Sequence, residues 1–188
     1  MPEDFRQTPP DLPPPVDDGG ADHLTGLALP PLRLPSTLGG ALDLGGHAGL
    51  LVAYVYPRTG RPGEPLPDGW DAIPGARGCT PQSCAFRDRA SGFAALGAEI
   101  VGISAQTPQE QREFAEREHI PYPLLSDPSL RLDEAIGLPT FTAAGLRLYR
   151  RLTLVARDGR IEKVFYPVFP PERNAGDVLA WLEDAARI

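Results

Sequence analysis

Residues 50–56 read Leu-Leu-Val-Ala-Tyr-Val-Tyr, and this run decides the fold. It has the length of a strand, and apolar side chains pointing both ways mark a strand covered on both faces. Residues 57–78 follow with five prolines and five glycines, so they read as a long loop. The loop ends at Gly78-Cys79-Thr80-Pro81. Pro81 suits the first turn of a helix; Phe86, Ala90, Phe93 and Ala94 then fall at helical spacing, and Gly97 can end it. In open α/β sheets, sites form where a central strand hands over to a helix N-terminus. Cys79 occupies that place.

The rest of the chain repeats the pattern. Ala98 to Ser104 (AEIVGIS) is a second buried strand. Thr107-Pro108-Gln109-Glu110 is a capping box that opens a helix running to about Glu118. Pro123-Leu124-Leu125 is a short strand, and Asp127-Pro128 opens a short helix closed by Gly137. Leu152–Ala156 and Arg160–Val168 are strands joined at Asp158-Gly159. Asn174 is expected to cap a last helix that buries Val178, Trp181 and Leu182. Near the front, Leu32-Arg33-Leu34 and Ala41–Leu44 flank Gly39-Gly40 as a hairpin. Strands alternating with helices, then a closing hairpin and helix, predict an α/β fold with a mixed central sheet.

Composition narrows the function. The 188 residues suit one domain. Fourteen of the 23 prolines precede Gly75, and residues 1–25 read as a disordered, acidic, proline-rich tail ahead of a domain spanning 26–188. The net charge of −7, with no basic stripe, argues against nucleic acid as a partner. The longest apolar run, Gly49 to Tyr56, is too short to span a bilayer, and the first residues lack a secretory signal. A cytoplasmic protein with no membrane partner is therefore expected. Two cysteines and three histidines cannot build a Cys-rich zinc site, and a single lysine, Lys163, excludes a P-loop. No flavin or nicotinamide motif is present, so neither metal nor cofactor is expected.

The chemistry rests on the two thiols. At a helix start, unpaired N–H groups and the positive end of the dipole favour a thiolate at Cys79, and Arg77 lies two residues away. Cys84 is five residues on. In an intact helix that offset separates the Cα atoms by about 8–9 Å. A disulfide needs roughly 4.4–6.8 Å. The two thiols can bond only if the first turn unwinds, which disfavours a resting structural disulfide and leaves a transient redox disulfide open.

The stretch Gly78-Cys79-Thr80-Pro81-Gln82-Ser83-Cys84-Ala85-Phe86-Arg87-Asp88 resembles the peroxiredoxins, in their Q-type or bacterioferritin-comigratory branch. The resemblance covers about residues 26–185. It includes the 32–44 hairpin, Val52–Pro57 (VAYVYP), Val101-Gly102-Ile103-Ser104, Tyr122–Asp127 (YPLLSD) and Arg151–Val155 (RLTLV). It implies a thioredoxin-like fold with helices on both faces of the sheet. It also implies a thiol-dependent peroxidase acting on H₂O₂ or small organic hydroperoxides. Cys79 corresponds to the peroxidatic cysteine, Cys84 to the resolving cysteine, and Arg151 to the arginine that orients peroxide. A thioredoxin-like thiol reductant and a monomeric state are the implied partner and assembly.

Two departures stand out. Ala76 occupies the place of the family's Thr or Ser, three residues before the cysteine, and the 57–78 loop is longer than the family's. Pro74 is the candidate for the active-site proline, and Thr80, Thr59 or a loop N–H for the missing donor; Arg77 joins the second rank through its closeness to Cys79. Two alternatives keep the thiols: a thiol–disulfide oxidoreductase, and a redox-sensing module with weak peroxidase activity.

Overall fold

The computed structural model describes residues 4–187. A five-stranded sheet has β3 (Leu50–Val55) at its centre, flanked by β4 (Ala98–Ser104) and β8 (Leu152–Arg157), with β5 (Leu124–Ser126) and β9 (Arg160–Phe165) at the edges. Strands β3, β4 and β5 run parallel; β8 is antiparallel to both β3 and β9. The sheet is thus mixed, as expected.

All six residues of β3 are buried, and their alternation divides the core. Leu51, Ala53 and Val55 enter one apolar cluster, with Leu132 of α4 (Arg131–Ile136) and with Leu34 and Leu44 at the hairpin β1 (Arg33–Pro35) and β2 (Ala41–Asp43). Leu50, Val52, Tyr54 and Tyr56 enter the other. There they meet Phe86 of α1 (Cys79–Asp88), Phe93 of α2 (Ala90–Ala95), Phe114 of α3 (Pro108–Arg117), and Val178 and Leu182 of α5 (Asn174–Ala185). Helices therefore lie on both faces, in a thioredoxin-like arrangement. No described helix is long and apolar enough to cross a membrane.

The structure differs from expectation at several places. The helix after the loop breaks at Arg89 into α1 and α2. A second hairpin, β6 (Thr140–Ala143) with β7 (Leu146–Tyr149), precedes β8; its turn, Ala144-Gly145, puts both residues at positive φ. Asn174 does not cap α5. Its side chain turns inward instead, and Arg173 holds the cap position. The 57–78 loop carries a short 3-10 turn at Trp70–Ala72, and Trp70 packs with Ala76, Ala143 and Leu148 against the β6–β7 hairpin.

The front of the chain is the largest correction. From residue 4 onward it is not a disordered tail; it straps the domain. Phe5, Ala21 and Leu24 are buried. Arg6 pairs with Glu118 at 3.0 Å, Thr8 donates to Glu172 at 2.9 Å, and Asp18 accepts from Tyr166 at 2.7 Å. Few apolar side chains bury, but each meets a prepared partner, and composition averages hide that. Residues 1–3 lie outside the described residues.

Candidate active site

Gly78 sets the start of α1. Its φ of +105° suits glycine, and a Cβ there would meet Pro171 Cγ at 2.3 Å. The next residue, Cys79, is 3 % exposed and opens the helix, where the first turn's N–H groups have no intrahelical acceptor. Its sulfur lies 3.7 Å from the carbonyl oxygen of Ala76.

Arg151, between β7 and β8, is 3 % exposed and reaches the same point. Its Nη2 lies 3.3 Å from Cys79 Sγ and donates to the carbonyls of Gly75 at 3.3 Å, Ala76 at 3.1 Å and Arg77 at 3.1 Å. Its Nη1 donates to Gln82 Oε1 at 2.5 Å. Gln82 in turn donates from Nε2 to Asn174 Oδ1 at 2.9 Å, and that oxygen also accepts from the Thr153 hydroxyl at 2.7 Å. A buried polar chain from β8 and α5 thus fixes the guanidinium over the sulfur. Sequence reasoning missed Gln82, Asn174 and Thr153. The available signal was a polar Gln82 three residues after Cys79, on the same helix face.

Cys84 is half-buried on the same unbroken helix, so it cannot bond Cys79 without unwinding the first turn. Its sulfur lies 3.8 Å from Glu118 Oε2, the oxygen that also accepts from Arg6. Burial pushes the Cys84 thiol up to about 11, and the Glu118 carboxylate adds to this while Arg87 opposes it.

The second-rank residues separate. Thr80 and Arg77 line a narrow cleft over Cys79 with Phe5, Gly60 and Trp70. The Arg77 guanidinium pairs with Asp71 at 3.2 Å and lies 5.1 Å from the Phe5 ring centre, so its side chain is engaged in the wall. Pro74 is exposed and lines a second cleft, with Pro15, Gly75, Arg150 and Arg151, in which Cys79 takes no part. Thr59 is turned away: its hydroxyl donates to Gln106 at 3.0 Å. Position 76 offers its carbonyl to Arg151 and has no hydroxyl to give.

A cysteine at a helix start, under a fixed guanidinium at the ends of the central strands of a thioredoxin-like sheet, defines a thiol-based redox protein. The redoxin family profile matches residues 26–179. The chain is 30 % identical over 159 residues to a chloroplastic peroxiredoxin Q of Sedum lineare, covering 84 % of this chain and 77 % of that one. It is 30 % identical over 135 residues to a chloroplastic peroxiredoxin Q of Gentiana triflora, covering 72 % of this chain and only 55 % of the relative. The crystal structure of peroxidoxin BcpB from Mycobacterium tuberculosis superposes with a TM-score of 0.67 at 29 % identity, over 85 % of this chain and 96 % of that one. The chain belongs to the redoxin family, as a peroxiredoxin of the Q type.

Proposed function

We propose that the chain is a thiol-dependent peroxidase that reduces H₂O₂ or small organic hydroperoxides. The observation that carries this is Arg151 Nη2 at 3.3 Å from Cys79 Sγ.

The Cys79 thiolate attacks the terminal oxygen of the hydroperoxide. A sulfur–oxygen bond forms, the O–O bond breaks, and the leaving alkoxide or hydroxide takes up a proton as alcohol or water. Charge grows on the leaving oxygen and is met by donors already in place, the Arg151 guanidinium and the first-turn N–H groups. Cys79 is left as a sulfenic acid. The first turn of α1 then unwinds, Cys84 attacks the oxidised sulfur, water leaves, and an intramolecular disulfide forms. Two thiols of a thioredoxin-like partner reduce it and become a disulfide themselves. Both cysteines lie on one chain, so a monomer suffices. The cycle needs a reduced partner, which a reducing compartment such as the cytoplasm supplies.

With Ala76 in place of a hydroxyl residue, Thr80 in the cleft is the side chain left to supply a hydroxyl to the peroxide. The test is steady-state peroxide consumption with a thioredoxin system. Turnover that requires Cys79 supports the reading; oxidation of the thiols without turnover would favour a redox sensor.

A further inference from the structure

The segment leading into the domain crosses over the helix start that carries Cys79. Phe5 is 5 % exposed although it lies in a proline-rich, polar stretch. Its ring sits against Gly60, where an added Cβ would lie 2.6 Å from Phe5 Cε1 and 2.7 Å from Cδ1. On another side the Arg77 guanidinium stacks on it at 5.1 Å. The next residue, Arg6, is held by Glu118 at 3.0 Å, and Thr8 is held by Glu172 at 2.9 Å. Phe5 and Cys79 line one cleft, with about 10 Å³ of space for the centre of a water-sized molecule. That is room for about one water.

We propose that Phe5 is a specificity-determining residue: its ring walls the mouth over Cys79, so that H₂O₂ enters and hydroperoxides with bulky apolar substituents are excluded. This rests on the peroxidase reading above and refines its substrate class. Gly60 is glycine at ordinary backbone φ, so the missing side chain serves the space the Phe5 ring fills and not the turn. Arg77 acquires a role in the same wall, as the cation that holds the ring in place.

The test uses the full chain carrying Cys84→Ser, so that Cys79 reacts alone, with Phe5 intact, Phe5→Ala or Gly60→Ala. The last displaces the ring while leaving the strap's own sequence unchanged. Two pairs of probes are compared by their second-order rates at Cys79: methyl methanethiosulfonate against N-phenylmaleimide, and H₂O₂ against cumene hydroperoxide. Both substitutions are expected to raise the bulky-to-small ratio about tenfold in each pair, the scale on which an apolar pocket discriminates. An unchanged ratio for the thiol reagents overturns the proposal. So does a raised thiol-reagent ratio with an unchanged peroxide ratio, since Phe5 would then shield the thiol without selecting substrate. If the thiol-reagent ratio rises while neither peroxide oxidises Cys79, the wall stands and the peroxidase reading fails.

Discussion

Arg151 Nη2 lies 3.3 Å from Cys79 Sγ while three loop carbonyls and Gln82 hold the same guanidinium. A donor fixed before substrate arrives needs no reorganisation when charge moves to the leaving oxygen. Arg151→Met is therefore expected to slow Cys79 oxidation by H₂O₂ about 100-fold or more, as for the loss of one preorganised donor. Arg151→Lys should recover little, because one ammonium cannot span the sulfur, the carbonyls and Gln82 together. Stopped-flow oxidation rates check both.

The Cys84 thiol is pushed up to about 11, by burial first and by Glu118 second. The raised value keeps Cys84 protonated in the folded protein at neutral pH. In Cys79→Ser protein, alkylation of Cys84 should rise with pH well past the free-thiol value of about 8.5 before levelling. Glu118→Gln should move that curve to lower pH, since it removes a negative charge beside the sulfur. A curve levelling near the free-thiol value would show that Cys84 is already solvated and that α1 opens at rest.

Asn174 Oδ1 accepts from both Gln82 and Thr153 in the core. Asn174→Ala leaves two buried donors without that acceptor, and a cost of about 1–3 kcal/mol is expected in urea denaturation. Because Gln82 holds Arg151, the same variant should also slow Cys79 oxidation. Loss of stability with unchanged reactivity would confine Asn174 to the core.

Gly78→Ala places a Cβ 2.3 Å from Pro171 Cγ at a backbone φ of +105°. The strained backbone alone costs about 1–3 kcal/mol, and Pro171 must move as well. Denaturation should show a loss at the upper end of that range or beyond, together with slower Cys79 oxidation as the helix start shifts.

The central strand was legible because Leu50–Tyr56 is apolar on both faces and too short for anything but a strand. The α3 capping box was legible because Thr107 and Glu110 carry their partners within four residues. The β6–β7 hairpin was hidden by its turn: Ala144-Gly145 lacks the Asn or Asp that usually marks two consecutive positive-φ residues. Asn174 has the residue type of a cap, yet two buried donors claimed its oxygen, and those come from residues 82 and 153. The strap escaped for the same reason. The Arg6–Glu118 pair joins residues 112 apart, and composition reports only proline and acid there. Cys79 could be read from its place at a strand-to-helix handover, whereas Arg151 came into view only through the family resemblance.

The most direct test of the two-thiol account is intact mass after one equivalent of H₂O₂ is added to the reduced protein, its Cys79→Ser variant and its Cys84→Ser variant. The account predicts a rapid loss of about 2 mass units in the unaltered protein, a gain of about 16 in Cys84→Ser, and no change in Cys79→Ser. Oxidation that persists in Cys79→Ser, or an unaltered protein that reacts no faster than a free thiol, would contradict it.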